Sequence, residues 1–124
     1  MYDSLSSPGT YRAARRRHAA PRSCDHVIAL VARQKNVPVQ VITDRNRRLP
    51  VARARQLAMY LSHVVLGRSL VEIGEVFGRD RTTVSYACAL IEDMRDDPRF
   101  DDEVTGLERQ IEAGMAMLES ATHV

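Results

Sequence analysis

The sequence predicts an all-α fold, a compact helical domain that contains a helix-turn-helix. Three observations predict it. Apolar residues recur at helical spacing in several segments, no run of β-branched residues alternates with polar ones, and glycine and proline are sparse, at 6 and 5 residues of 124. A chain of this length can build one modest core and not two. Aromatic residues are few and tryptophan is absent, so Leu, Val, Ile, Ala and Met must fill that core.

Residues 1–23 hold Ser-Ser-Pro-Gly, Arg15-Arg16-Arg17 and Ala20-Pro21-Arg22, with little that could pack, and read as a disordered basic tail. Such a tail either solubilises a domain or adds phosphate contacts to it. From Cys24 to Gln34 the residues Val27, Ile28, Leu30, Val31 and Ala32 give a helix one apolar side, and Asn36-Val37-Pro38 ends it. Val39 to Ile42 reads as a single turn that offers Val39 and Ile42 to the core. Thr43 to Pro50 is then a basic loop, too charged to be buried, closed by its proline.

The strongest helical pattern runs from Val51 to about Leu66. Ala54, Leu57, Ala58, Leu61, Val64 and Val65 form its buried stripe, while Arg53, Arg55, Gln56 and Ser62 fall elsewhere on the circumference. Gly67 supplies the stop. Ser69 is placed to cap the next helix, and Glu72 three residues later completes a capping box. That short helix ends near Phe77-Gly78. Asp80 caps a further helix to about Arg95, with Val84, Ala87, Cys88, Ile91 and Met94 inward, and Asp96-Asp97-Pro98 stops it. A last helix spans roughly 101–119, with Val104, Leu107, Ile111 and Leu118 as its stripe. Residues 24–119 thus make one helical domain, and 120–124 a disordered C-terminus.

The net charge of +2 conceals a gradient along the chain. Residues 1–55 carry 12 Lys/Arg against 3 Asp/Glu, residues 56–91 carry 3 of each, and residues 92–124 carry 3 against 10. A basic half beside a neutral helical segment is the sequence footprint of a polyanion-binding surface. Lys35 is the only lysine, and arginine is the better residue for two-pronged contacts to phosphates and guanine edges. The acidic face of the last helix would be repelled by a polyanion, so that helix is expected to point away from it.

Several function classes are not expected. Cys24 and Cys88 belong to no CxxC pair and read as reduced thiols of a cytoplasmic protein. His18, His26, His63 and His123 are scattered, so no metal site is implied. No apolar stretch approaches the roughly 20 residues of a membrane span. No GxxxxGK[ST] sequence is present to cradle a nucleotide, and no Ser/His/Asp set, nucleophilic cysteine motif or inward carboxylate pair suggests catalysis. The reading is therefore neither an enzyme nor a cofactor binder.

The segment Ser69 to Tyr86, SLVEIGEVFGRDRTTVSY, is a helix, a tight glycine turn and a second helix. In a helix-turn-helix the second helix enters the major groove of DNA by its N-terminal end; an ordinary helical hairpin has the same outline. Gly74 sits inside the first helix at a cost of about 1 kcal/mol relative to alanine, which a close approach of backbone would justify. The chemistry of the turn favours DNA. Arg79, Asp80, Arg81, Thr82 and Thr83 surround a helix start whose backbone N–H groups suit a phosphate, and Thr82, Thr83 and Ser85 offer hydroxyl donors. Arg81 can grip a guanine edge, Asp80 can accept from a cytosine amino group, and the Thr82 methyl can meet a thymine methyl.

VARARQLAMYL followed by SLVEIGEVFGRDRTTVSYACALIE resembles the DNA-binding domain of the bacterial replication initiator DnaA, whose signature runs close to SLPEIG, FGGRDHTTV and HA..KIE. The resemblance covers about residues 24–111. It implies an all-helical, Trp-repressor-like fold that binds an asymmetric element in double-stranded DNA, the DnaA box, as a monomer. It implies that Arg47 reaches into the minor groove while Asp80, Arg81 and Thr82 read the major groove. Arg48, Arg55, Gln56, Ser69, Arg79, Thr83, Ser85 and Tyr86 are the expected phosphate contacts, which position a protein while base contacts select the site. The expected role is regulation of replication initiation or transcription at such sites, in the cytoplasm on the nucleoid, with possible replication or transcription proteins as partners. A protein-interaction adaptor that kept the fold and lost DNA affinity is the alternative.

Three departures from the signature bear on specificity. Arg81 stands where the family has histidine, Gly78 is one glycine where the family has two, and Val71 replaces a common proline. A longer, permanently charged side chain on a turn shortened by one residue is expected to shift base preference. The ATP-binding module that accompanies this domain in DnaA is not represented in the sequence, so ATP-driven assembly and origin melting are not expected of this chain.

Overall fold

Six helices make up the described residues, several of them opened by caps written into the sequence. The computed structural model describes residues 23–122, apart from the side chains at 118, 119, 121 and 122. The expectations for a tail over 1–22, for the Leu118 side chain and for 123–124 lie outside the described residues. The helices are α1 (Cys24–Lys35), α2 (Val39–Ile42), α3 (Leu49–Val64), α4 (Leu70–Phe77), α5 (Arg81–Met94) and α6 (Pro98–Thr122), with no strand among the described residues.

The local signals act as their chemistry requires. Ser23 caps α1 by accepting from the Asp25 N–H at 3.1 Å, and Asn36 ends that helix in the left-handed region at φ 57°. At α4 the Ser69 hydroxyl accepts from the Glu72 N–H at 3.1 Å, and the Glu72 carboxylate accepts from the Ser69 N–H at 3.0 Å. That is the expected capping box. Asp80 caps α5 by accepting from the Thr83 N–H at 2.9 Å.

Helix α3 is the centre of the molecule. It packs against α1 and α5 on its longest seams and touches α2 and α4 as well. Being covered on several sides, it buries Val51, Met59 and Tyr60 in addition to the expected Ala54, Leu57, Ala58 and Leu61. It also buries Arg55 and Ser62, which the single-stripe reading places on the surface. Val64 is the converse correction, at 46% exposure. The helix ends there, and the departing chain turns Leu66 into the core in its place. In α2 only Ile42 is buried, while Val39 is 47% exposed, because a single turn directs one position inward. Cys88, expected in the core, is half-buried at its margin.

Two of the prolines that read as stops or closures, Pro50 and Pro98, lie inside helix starts. Pro50 occupies the first turn of α3, and Pro98 is the first residue of α6, with the Asp97 carboxylate accepting from the Arg99 N–H at 3.1 Å. A first-turn proline lacks only an N–H that would have had no partner in the helix. Helix α6 therefore begins before Asp101 and continues to Thr122, burying Val104, Leu107 and Ile111.

An arginine fastens α6 to the rest. Arg95, the C-cap of α5, donates to Asp101 Oδ1 at 2.6 Å, Glu108 Oε2 at 2.8 Å, Thr105 Oγ1 at 3.0 Å and the Tyr60 hydroxyl at 3.0 Å. Tyr60 in turn donates to Glu92 Oε1 at 3.1 Å. Lys35 adds a second tie from α1, at 2.8 Å from Glu103. These bonds raise the Arg95 guanidinium above its ordinary range, the Glu108 carboxylate contributing most.

The turn between α4 and α5 is set by two glycines. Gly78 adopts the left-handed conformation at φ 68° and ends α4. The chain then doubles back so that the Arg79 N–H reaches the Gly74 carbonyl at 2.9 Å. A Cβ at position 74 would collide with the Arg79 carbonyl oxygen, which is the close approach expected of that glycine. Gly74→Ala should therefore destabilise the fold by about 1–2 kcal/mol, since overpacking outweighs the gain of about 1 kcal/mol in helix propensity. Urea denaturation checks this, and a stabilised variant would remove the close-approach explanation.

Candidate nucleic-acid interface

The first turn of α5 lies on the surface. Arg81, Thr82 and Thr83 are exposed, as are Ser85 and Tyr86, while Val84, Ala87 and Ile91 on the opposite side of the helix are buried. Helical spacing sets Thr82, Tyr86 and Ala89 along the outermost line, with Arg81 and Ser85 beside it. Tyr86 is 65% exposed, a large ring without cover on this face. The Asp80 carboxylate is held below the usual range, first by the Thr83 N–H and then by its hydroxyl. Its Oδ1 is thus committed to the cap.

The basic loop stands next to this helix start. Its shape comes from two short side-chain turns: Asp44 Oδ1 accepts from the Asn46 N–H at 2.7 Å, and Asn46 Oδ1 accepts from the Arg48 N–H at 2.9 Å. Arg45, Arg47 and Arg48 are all exposed along it, Arg48 being the N-cap residue of α3. Arg45 is an addition to the expected set, although it belongs to the same basic run.

Two of the expected phosphate contacts, Arg55 and Arg79, bond the carbonyls of the basic loop. Arg55 is only 6% exposed. Its Nε donates to the Ile42 carbonyl at 2.6 Å, and its Nη2 lies 3.0–3.1 Å from the carbonyls of Val41, Asp44 and Asn46. Arg79 reaches the same loop from the turn, its Nη1 donating to the Phe77 carbonyl at 2.6 Å and the Thr43 carbonyl at 3.4 Å, its Nη2 to the Asp44 carbonyl at 2.8 Å. A guanidinium directed into backbone carbonyls cannot swing out to a phosphate with the same hydrogens. Arg55, expected as a phosphate contact, is thus a clamp on the loop, its Nε and Nη2 hydrogens committed to carbonyls. Burial, and then the Arg79 charge, push its pKa below the ordinary value, against the Asp44 carboxylate 3.8 Å away.

The other expected residues divide by position. Gln56, half-buried on α3, accepts from Arg53 at 2.9 Å. Ser69 is exposed but stands at the far end of α4, about 12 Å along an eight-residue helix from the turn. The fold thus gathers Arg47, Arg48, Asp80, Arg81, Thr82 and Thr83 around one edge and leaves Ser69 apart from it. A signal for Arg55 is present in the sequence: it falls four residues from both Val51 and Met59, which are buried, and so on an apolar line of α3.

Comparison with known proteins agrees with the helical fold and its helix-turn-helix. The family of the bacterial DnaA protein helix-turn-helix matches residues 24–91, ending before the 111 suggested by the resemblance. A crystal structure of a DNA replication initiation factor is similar over 82% of this chain, with a TM-score of 0.70 and 31% sequence identity. The chain spans 32% of that protein's length.

The clamp makes a direct prediction. Arg55→Ala leaves several carbonyls near the core without a donor and should lower stability by about 2–4 kcal/mol. Arg55→Lys should recover little, since an ammonium cannot fork across carbonyls on two sides. Thermal denaturation of both variants tests this, and wild-type stability in either would show that the loop holds itself.

Proposed function

This chain belongs to the bacterial DnaA helix-turn-helix family, and from that membership we propose that it occupies DnaA-box-like sites in double-stranded DNA, with α5 in the major groove and the 43–48 loop in the adjacent minor groove. The family is a DNA-binding helix-turn-helix and not a catalytic one. The observation that carries the finer reading is that the Arg79 side chain, from the turn before the exposed start of α5, reaches Asp44 of the loop that carries the exposed Arg45, Arg47 and Arg48. A duplex offers two neighbouring grooves, and each surface element suits one of them.

Arg81 and Thr82 are the base readers of this proposal, Arg47 enters the minor groove, and Arg48, Thr83, Ser85 and Tyr86 meet phosphates. Bound as a monomer, the domain would regulate replication initiation or transcription at its sites, or compete there with other proteins. The Arg81 charge adds a preference for guanine where a neutral side chain would have been less selective.

Selection of bound duplexes from a random pool tests the reading, with enrichment of a DnaA-box-like element as the expected outcome. On the selected site, a domain neutralising about 6 phosphates should lose roughly a thousandfold in affinity between 50 and 200 mM salt. No enrichment, together with weak binding of every duplex, would point to an adaptor. Arg81→Ala and Thr82→Ala should each cost about 1–3 kcal/mol on the selected site and flatten discrimination. Equal losses on random DNA would remove both from the base-reading set.

A further inference from the structure

We propose that Arg79 is a positioning residue that locks the basic loop to the helix-turn-helix, so that the two groove-facing elements meet DNA as one preset unit. The proposal rests on the DNA-binding reading above and deepens it. Arg79 begins in the turn, where its own N–H is bonded to the Gly74 carbonyl at 2.9 Å and its carbonyl packs on the bare Cα of Gly74. Its backbone is therefore fixed before its side chain extends. The guanidinium then caps α4 at the Phe77 carbonyl, 2.6 Å away, and crosses to the Asp44 carbonyl at 2.8 Å and the Thr43 carbonyl at 3.4 Å. These last bonds join residues 35 and 36 positions apart.

The arrangement divides the work between two arginines. Arg55 ties the loop to α3, while Arg79 ties it to the turn that starts α5. Both guanidinium groups end on one acceptor, the Asp44 carbonyl, at 3.1 Å and 2.8 Å. Two like charges gathered on a single carbonyl repel, and that arrangement gains from a polyanion nearby. A phosphate-only role would leave the Nη groups of Arg79 facing solvent, whereas they face the loop. Removing Arg79 leaves Arg55 tying the loop to α3 but takes away the bonds at Thr43 and Asp44 that steady it against the turn before α5, so its internal bonds open more often.

The experiment compares wild type, Arg79→Ala and Arg79→Lys in the whole chain. Lysine keeps a charge for a phosphate but cannot bridge the Phe77 and Asp44 carbonyls together. In the DNA-free protein, both variants should speed hydrogen exchange at the Asn46 and Arg48 amides about tenfold, with the α3 interior amides unchanged as the folding control. On the selected duplex both should weaken binding about tenfold, and Arg47→Ala should cost a smaller factor in either background than in wild type. Wild-type exchange and affinity in Arg79→Lys, or factors for positions 47 and 79 that simply multiply, would overturn the positioning role in favour of a plain phosphate contact. Indifference of the wild type to duplex sequence would overturn the DNA-binding reading itself, whereas unchanged exchange beside intact DNA binding would overturn only the role of Arg79.

Discussion

The basic surface of this domain depends on arginines that are satisfied by backbone carbonyls. A buried guanidinium needs acceptors, and the usual acceptor is a carboxylate, which also cancels its charge. Arg55 and Arg79 instead take the carbonyls of residues 41–46 and of Phe77. Carbonyl dipoles orient the side chains and lower the burial penalty without adding a negative charge. Asp44 alone brings a carboxylate near, 3.8 Å from Arg55 and itself largely in solvent. The loop is thereby given a fixed shape while the edge that would face DNA keeps its positive potential.

The opposite end of the molecule uses the other solution. Arg95 is as heavily bonded as Arg55, but its partners are Asp101 and Glu108, with Glu92 one step away through Tyr60. Charge there is cancelled, and the surplus of acid along α6 turns the balance negative. One protein thus holds two arginine networks built on different acceptors, and the acceptor type decides the local potential. The gradient along the sequence becomes a gradient in space because the basic loop joins the turn before α5, whereas the acidic residues gather on α6 beyond its other end.

The features legible in the sequence are the local ones. Ser69 with Glu72, Asp80 with Thr83, and Gly78 announce helix ends through bonds spanning three or four residues, and all three stand where the pattern puts them. Gly74 is legible as a close approach because a mid-helix glycine has few other uses. The features that escape a sequence reading are set by neighbours distant in the chain. A stripe argument assumes one covered side, but α3 is covered on several, so Arg55 and Ser62 are buried against expectation. Pro98 reads as a stop because proline is hostile to the residue before it. It is equally suited to a first helical position, and only the helical pattern downstream distinguishes the two uses. Nothing short of the fold shows that Arg79 reaches a loop 35 residues away.

The proposed recognition through two grooves raises an entropy problem that a preset loop would answer. Ordering a flexible segment costs about 1–2 kcal/mol per residue, so a loop that folded only on DNA would forfeit much of its binding energy. Building the loop in advance shifts that cost into the stability of the protein without DNA. Two like charges brought to one acceptor, the Asp44 carbonyl, are part of that cost. A domain shaped for stability alone would have neutral side chains at 55 and 79 and a shorter loop. That these positions hold converging cations, supported mainly by carbonyl dipoles and with one carboxylate between them, is the structural feature for which a polyanionic partner gives the simplest physical reason.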